Sequence, residues 1–395
     1  MAYFHSPRTV TDGLVFYYDL ANQLKSYKGE PTTNVLNNNI LGTGNGAFLS
    51  SDSVGTYIQL ANLTSSYSRF QLPSIPVSSN DTYTWSFELM SPETITTNYY
   101  FDTNEYSDQF PTSNDLSRAS ATHRVPSTMP AGVWQEFSLT VTMKPDLTGA
   151  YTYDFFNMLY PTFQNKKIYY RNMQFEFKDH PTQYAGQGAT RSATEGLLDL
   201  TGNKTINIST MSFGSNAEMY FDGTDDRIDM SLYHLSGSSH TEELVVYRAV
   251  SDTTHGLVSD LQYGFFGIYM HSSNKVYYRQ MQQNPGQTPE YPSVTISSTN
   301  TFGVGYHHIV GVYSNSFGFR LYVNGNLEAS NSTVLPFNLA GGRGINHLGV
   351  YKDTNAATYG YPLNGRIELF KAYNRALSPE EVAQNFNAVR ARYAI

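Results

Sequence analysis

The stretch Phe319-Arg320-Leu321-Tyr322-Val323-Asn324-Gly325-Asn326-Leu327 alternates sides and then turns on Asn-Gly. A period of two puts successive side chains on opposite faces of a strand. Asn-Gly supplies the two positive φ values of a tight hairpin, so the stretch predicts two antiparallel strands. Residues 308–313 precede it as an apolar run suited to a buried strand, and Asn364-Gly365 leads into Arg366-Ile367-Glu368-Leu369-Phe370. Further upstream, residues 83–89, 133–141 and 169–177 alternate in the same way. One helix is predicted. Ser378-Pro379-Glu380-Glu381 forms a capping box with proline at the first helical position. Val382, Phe386, Val389 and Tyr393 then recur at helical spacing, with Arg390 and Arg392 at the negative end of the dipole. The fold class is all-β: two jelly-roll or β-sandwich domains with a short C-terminal helix over 379–392. No repeat of 20–50 residues is visible, which argues against a solenoid or propeller.

Composition narrows the function classes. The chain has 395 residues, enough for two to three domains at roughly 150 each. Cysteine is absent, which excludes a disulfide framework, a thiolate nucleophile and thiolate-ligated metals. It fits either a reducing cytosol or a protein made in a cytosol and exposed later. Lys plus Arg number 25 against 33 Asp plus Glu, a formal charge of −8, and no basic patch interrupts it, so nucleic acid is not expected as a partner. Nothing approaches 18 uninterrupted apolar residues, so no membrane insertion is expected. The start, Met1-Ala2-Tyr3-Phe4-His5-Ser6-Pro7-Arg8, lacks the basic and apolar regions of a signal peptide, and export by that route is not expected. Charged residues make up only 15% while tyrosine reaches 32, the profile of β-structure with broad polar faces.

Turn-rich breaks at residues 29–34 and 181–188 set the expected boundaries. Residues 1–30 contribute the first strand of a domain completed by 189–395, and 31–188 form an inserted jelly roll. Five blocks, in order, carry a resemblance. Tyr220-Phe221-Asp222-Gly223-Thr224-Asp225-Asp226-Arg227-Ile228, Tyr306-His307-His308-Ile309-Val310, Leu321-Tyr322-Val323-Asn324-Gly325, Leu363-Asn364-Gly365-Arg366-Ile367-Glu368 and Tyr373-Asn374-Arg375-Ala376-Leu377-Ser378-Pro379-Glu380-Glu381 resemble the laminin G-like branch of the concanavalin A-like lectin/glucanase superfamily. Gly13-Leu14-Val15-Phe16-Tyr17-Tyr18-Asp19-Leu20-Ala21-Asn22 looks like the first strand of lectin-like domains in tailed-phage structural proteins. Its usual continuation resembles Leu198-Asp199-Leu200-Thr201-Gly202-Asn203, which stands far downstream. The intervening region therefore reads as an insertion into a surface loop, where insertions are tolerated. Its segment from Trp134 to Thr142 is similar to galactose-binding-type jelly-roll modules. The resemblance implies a virion protein, made in the host cytoplasm and released by lysis.

The superfamily includes glycosidases, whose chemistry needs two carboxyls at a fixed separation. The Glu-x-Asp-x-x-Glu strand that its glucanases use is missing: no Glu-x-Asp occurs. Glu242 and Glu243 are adjacent and face opposite sides of a strand, and Glu368 stands alone. Gly-x-Ser-x-Gly, His-Glu-x-x-His and Walker patterns are also missing. Asp222, Asp225 and Asp226, with Asp229, are hard oxygen ligands suited to calcium, or else caps and solvated residues of a turn. Calcium there is the one candidate cofactor; none other is expected. His307 and His308 read as one core-facing and one exposed histidine. Trp85 and Trp134 read as core. Loop-like Tyr99, Tyr100 and Asp102, and Tyr359 and Tyr361, are the candidate sugar contacts, since aromatic faces stack on sugars; they equally suit subunit interfaces. The expectation is a non-enzymatic bacteriophage virion protein (fibre, whisker or capsid decoration), located in the virion. Its expected partners are other virion proteins, further copies of itself in a homo-oligomer, and cell-surface polysaccharide. Alternatives are a glycan-degrading enzyme of the same superfamily and an architectural virion part with no sugar ligand.

Overall fold

The computed structural model describes residues 8–36, 42–44, 47–60, 67–71, 75–94, 100–102, 123–124, 129–142, 151–153, 157–159, 166–234, 239–260, 266–281, 293–335, 344–351 and 359–395. The chain divides into two compact units, one of residues 1–31, 192–214 and 218–395, the other of 32–191 and 215–217.

The first unit is a concanavalin A-like sandwich of antiparallel sheets. One sheet has eight strands, in the order Ser212–Phe213, Met219–Asp222, Asn364–Tyr373, Ser239–Arg248, Gly305–Ser314, Gly318–Val323 and Asn326–Asn331, with Leu14–Asp19 also paired to Asn364–Tyr373. The N-terminal strand is thus held by the last: Leu14 lies opposite Tyr373 and Asp19 opposite Leu369. The second sheet has seven strands, in the order Ile206–Asn207, Ile228–His234, Gly344–Leu348, His255–Asp260, Phe266–Met270, Val276–Met281 and Ser293–Ser297. Leu244, Val246, Ile309 and Ile367 of the first sheet meet Ile228, Val258, Ile268, Tyr278 and Leu348 of the second in one buried core. At the Asn324-Gly325 turn φ is 50° and 77°, the left-handed pair that the hairpin requires.

The helix Pro379–Tyr393 packs on the other face of the eight-stranded sheet, with Val389 and Tyr393 against Val245 and Leu369. Its capping box is complete. Glu381 also takes Arg375 Nη1 and Nη2 at 2.7 and 2.6 Å, which fixes the chain's approach to the helix. Both faces of this sheet are therefore covered, and this corrects the reading of the paired histidines. His308 is fully buried beneath the helix beside Phe386, and His307 is buried on the opposite face against Phe302. Alternation separated them; cover on both sides buried them.

That same cover buries a charged cluster. Glu243 Oε1 receives Lys371 Nζ at 2.8 Å and lies 3.2 Å from His308 Nε2, while Oε2 receives Asn385 Nδ2 at 2.5 Å. Asn385 Oδ1 accepts from Val10 N at 2.7 Å, and Tyr373 Oη donates to Val10 O at 3.1 Å. Glu242, one residue away, points into the core, fully buried, with neither oxygen hydrogen-bonded among the described residues. Burial pushes its carboxyl well above the usual carboxylate range, so it is housed as a neutral acid. Burial pushes Glu243 in the same direction, but the Lys371 charge and its hydrogen-bonding partners reverse that and hold it down at about 2.

Among its described residues the second unit holds two five-stranded antiparallel sheets and small two-stranded ones. One runs Gln135–Thr142, Thr82–Met90, Lys167–Glu176, Thr56–Leu60 and Ala47–Ser51. Tyr83, Trp85, Phe87 and Phe175 are buried on one side of it. Trp85 is core, as read from the sequence. Trp134 is only half-buried and carries the Arg171 guanidinium 4.1 Å from its ring centre. Among the described residues no helix is long and apolar enough to cross a membrane.

Lys371→Met should leave the Glu243 carboxylate buried without its cation, a loss of about 3–5 kcal/mol, read as a lower midpoint of chemical unfolding; adding Glu243→Gln should restore part of it. Glu243 is depressed in the fold, so its contribution is complete above the unfolded-state value of about 4.3. It should be lost as pH falls from there towards about 2, and an unfolding series across that window in wild type and the double variant checks the sign.

Candidate functional site

At one end of the sandwich, loops from both sheets enclose a cleft of about 540 Å³, within the usual range for a small-ligand site. Its walls include Asp252, Thr253, Ser272, Tyr361 and Asn364. Buried polar struts set those loops. Arg248 is fully buried, and its guanidinium donates to Asn274 Oδ1 at 2.6 Å, Phe302 O at 2.9 Å and Thr253 O at 2.7 Å. Asn274 in turn accepts from Asp252 N at 3.0 Å and donates to Asp252 Oδ1 at 2.8 Å. The His255 ring bridges Pro362 O and Val250 O at 2.9 and 3.1 Å, so the two sides of the cleft share one clamp.

Tyr361 stands in this frame with its side chain in solvent, 47% exposed, and its backbone at a φ of 55°. Left-handed backbone is unfavourable for a bulky residue and is found where the surroundings impose it, often at functional sites. Here the imposing contacts are the donation from Gly256 N to Tyr361 O at 2.7 Å and the paired hydrogen bonds between Tyr351 and Gly360 at 2.9 and 3.0 Å. From Tyr361 a row of rings runs over the outer face of the seven-stranded sheet. Tyr351 lies 6.4 Å from Tyr361, Tyr269 5.2 Å from Tyr351, and Tyr277 5.0 Å from Tyr269, nearly parallel at 12°. Gly267 makes room for the row, because a Cβ there would fall 2.4 Å from the Tyr351 ring.

The sequence candidates divide. Tyr361 lines the cleft. Tyr359, two residues earlier, faces elsewhere: the Arg227 guanidinium lies 4.4 Å from its ring centre and it meets His347 edge-on at 4.9 Å. Tyr99 lies outside the described residues, as do the side chains of Tyr100 and Asp102. Asp222, Asp225 and Asp226 do come together, each offering an oxygen within 4.8 Å of the others, on the turn that places Gly223 in the cleft wall. Asp226 is already engaged, accepting from Asp222 N at 2.8 Å and Ser212 Oγ at 3.2 Å, while Asp222 Oδ1 accepts from Thr224 N at 2.7 Å. Burial raises the Asp226 carboxyl despite these bonds. Asp229 is on a strand, not this turn, and is held by Arg227 and His347. Sequence reasoning missed Tyr269, Tyr277 and Tyr351. The first two could have been found from the alternation of Gly267, Tyr269 and Tyr277, Arg279 against buried neighbours.

Residues 222–383 match a family model described as the concanavalin A-like lectin/glucanases superfamily. A search of curated proteins finds no match. Among solved structures, the chain is similar to the Ruminococcus gnavus IT-sialidase CBM40 bound to alpha2,3 sialyllactose, at 17% identity over 38% of this chain and 82% of that one, with a TM-score of 0.31. It is similar to the botulinum neurotoxin serotype D binding domain at 12% identity over 50% and 49%, with a TM-score of 0.35, and so spans about half of that chain's length. A Trypanosoma rangeli sialidase in complex with sialic acid matches at 16% identity over 49% and 31%, with a TM-score of 0.36.

Gly267→Ala should lift Tyr351 off the sheet and interrupt the row of rings, with an overpacking loss of about 1–3 kcal/mol. A thermal melt together with tyrosine near-ultraviolet dichroism measures both effects.

Proposed function

We propose that this protein is a glycan-binding structural component of a bacteriophage particle, a fibre, whisker or capsid decoration that assembles with itself and with other virion proteins. On this reading it is made in the host cytoplasm, reaches the virion on lysis, and contacts host-surface or environmental polysaccharide without cleaving glycosidic bonds. The glycan half is carried by one observation: an exposed tyrosine, held in left-handed backbone, in the wall of a cleft whose other groups include Asp252, Thr253, Ser272 and Asn364. An aromatic face with hydroxyl, amide and carboxylate groups around it suits a polyhydroxylated ring, which presents an apolar C–H face and an equatorial belt of hydroxyls. The match of residues 222–383 to a lectin/glucanase superfamily supports it. Against glycosidase chemistry, Glu242 and Glu243 lie on opposite faces of their strand, both fully buried, one neutral in the core and the other paired with Lys371. The virion half rests on the phage-like blocks at 13–22 and 198–203, and on the high tyrosine content of the sequence, 32 residues, since tyrosine suits subunit contacts.

A bacterial-polysaccharide and glycan array probed with wild type and Tyr361→Ala tests the first half. Wild type should retain a defined set of glycans, and the variant should lose at least tenfold in affinity, about 1.4 kcal/mol, with an unchanged melt. Equal retention by both would remove the cleft from the reading, and no retention at all would favour the purely architectural part. For the second half, light scattering of the purified chain should give a closed oligomer; a monomer at micromolar concentration would count against self-assembly.

A further inference from the structure

Strand register sets a row of side chains across the outer face of the seven-stranded sheet. Asp229 lies opposite His347, His347 opposite Ser259, Ser259 opposite Gly267, and Gly267 opposite Arg279. The neighbours Ile228, Met230, Leu348 and Val258 all belong to the core, so Asp229, His347 and Ser259 share the face away from it. His347 Nδ1 is 2.7 Å from Asp229 Oδ1, and that oxygen also takes Arg227 Nε at 2.9 Å. A carboxylate at Nδ1 keeps the proton there and leaves the Nε2 lone pair as the imidazole's free basic position. Nε2 is buried and has no hydrogen-bond partner among the described residues. Ser259 Oγ, on the adjacent strand, is fully buried and likewise has none among the described residues. Two complementary orphans on facing positions are not explained by packing, since a buried polar group without a partner is destabilising by about 1–3 kcal/mol. Cβ atoms at such positions are about 4.5–5.5 Å apart, a separation that a serine and a histidine rotamer can close, and nucleophile–base contacts commonly tighten only with substrate present.

We propose that Ser259, His347 and Asp229 form an acyl-transfer site, with Ser259 as nucleophile, His347 as general base and Asp229 as the residue that positions the imidazole. Ser259 Oγ bonds to the carbonyl carbon of an ester while its proton passes to His347 Nε2. The C–O bond to the alcohol then breaks, and the alkoxide leaves with the proton from His347. Water, deprotonated by His347, attacks the acyl-serine and releases the carboxylic acid, so ester plus water gives acid plus alcohol. Tyr359, half-buried and edge-on to His347 at 4.9 Å, screens the imidazole. The substrate class is a short-chain acyl ester. That the ester is carried on a sugar hydroxyl rests on the glycan reading of the neighbouring cleft, whereas the triad does not.

A fluorophosphonate probe, with the adduct located by peptide mass spectrometry, and turnover of p-nitrophenyl acetate test this without any glycan. The full chain should be labelled on Ser259, and Tyr359→Ala, which opens the approach, should be labelled faster. Ser259→Ala should abolish labelling, and His347→Gln should reduce labelling and turnover at least a hundredfold. Asp229→Asn should slow labelling at least tenfold, because the carboxylate that orients the imidazole through Nδ1 is lost, and Asp229→Glu should restore part of it; a merely structural aspartate would shift only the melt. If neither wild type nor Tyr359→Ala is labelled on Ser259 while both melt as folded proteins, the proposal is wrong. Labelling without glycan retention would leave the triad standing and remove only the sugar ester.

Discussion

The sandwich of the first unit depends on one buried carboxylate. Glu243 stands on a central strand, opposite Lys371 on one neighbour and Val310 on the other. Its oxygens gather a cation from one strand, a histidine from another and an amide from the helix. Through Asn385 and Tyr373 the same cluster reaches Val10. A charge in such a place is tolerable only when every partner is present. The cluster therefore makes closure cooperative, because strand, helix and N-terminal segment all complete one hydrogen-bonding set. That is a strict condition for a domain assembled from segments far apart in the chain, where loop-closure entropy opposes bringing the ends together.

A second buried charge does the same for the recognition end. Arg248 belongs to the same strand as Glu243 and is its last residue, and its guanidinium organises the loops that wall the cleft. One strand thus carries an anion that fixes the helix side and a cation that fixes the ligand side. The two lie on opposite faces by parity alone, which is why neither neutralises the other and each must recruit its own partners.

What the sequence made legible follows from how local each signal is. The helix was readable because Ser378, Pro379 and Glu381 act within one turn, and the Asn324-Gly325 hairpin because the turn needs only its own φ values. The pairing of residues 14–19 with 369–373 is not local; only the resemblance of the first block to a known strand hinted at it. His307 and His308 were misread because alternation reports which side a residue faces, not whether that side is covered, and the helix covers it. Tyr361 was readable as a loop aromatic, whereas the fate of Tyr359 was set by Arg227 and His347, 132 and 12 residues away in sequence, with the Arg227 guanidinium 4.4 Å from its ring centre. Ser259, His347 and Asp229 carry no sequence motif at all. Their row exists only once three strands have taken their register.

The chain's low charge content now has a physical division of labour. Several of its charged groups act as struts: Glu243 with Lys371, Arg248 with backbone carbonyls, Arg375 with Glu381, and Arg392 with Asp19. Desolvated or half-buried, these pairs are little screened by salt, and they order the frame rather than the surface. The cleft and the ring row are correspondingly built mostly from tyrosine, threonine, serine and asparagine. Recognition by such groups depends on shape, stacking and neutral hydrogen bonds, and so should persist at ionic strengths that abolish attraction between exposed charges. A surface of this kind suits a partner with many hydroxyls and little charge better than a nucleic acid or an anionic membrane, and the net negative charge of the chain pushes in the same direction.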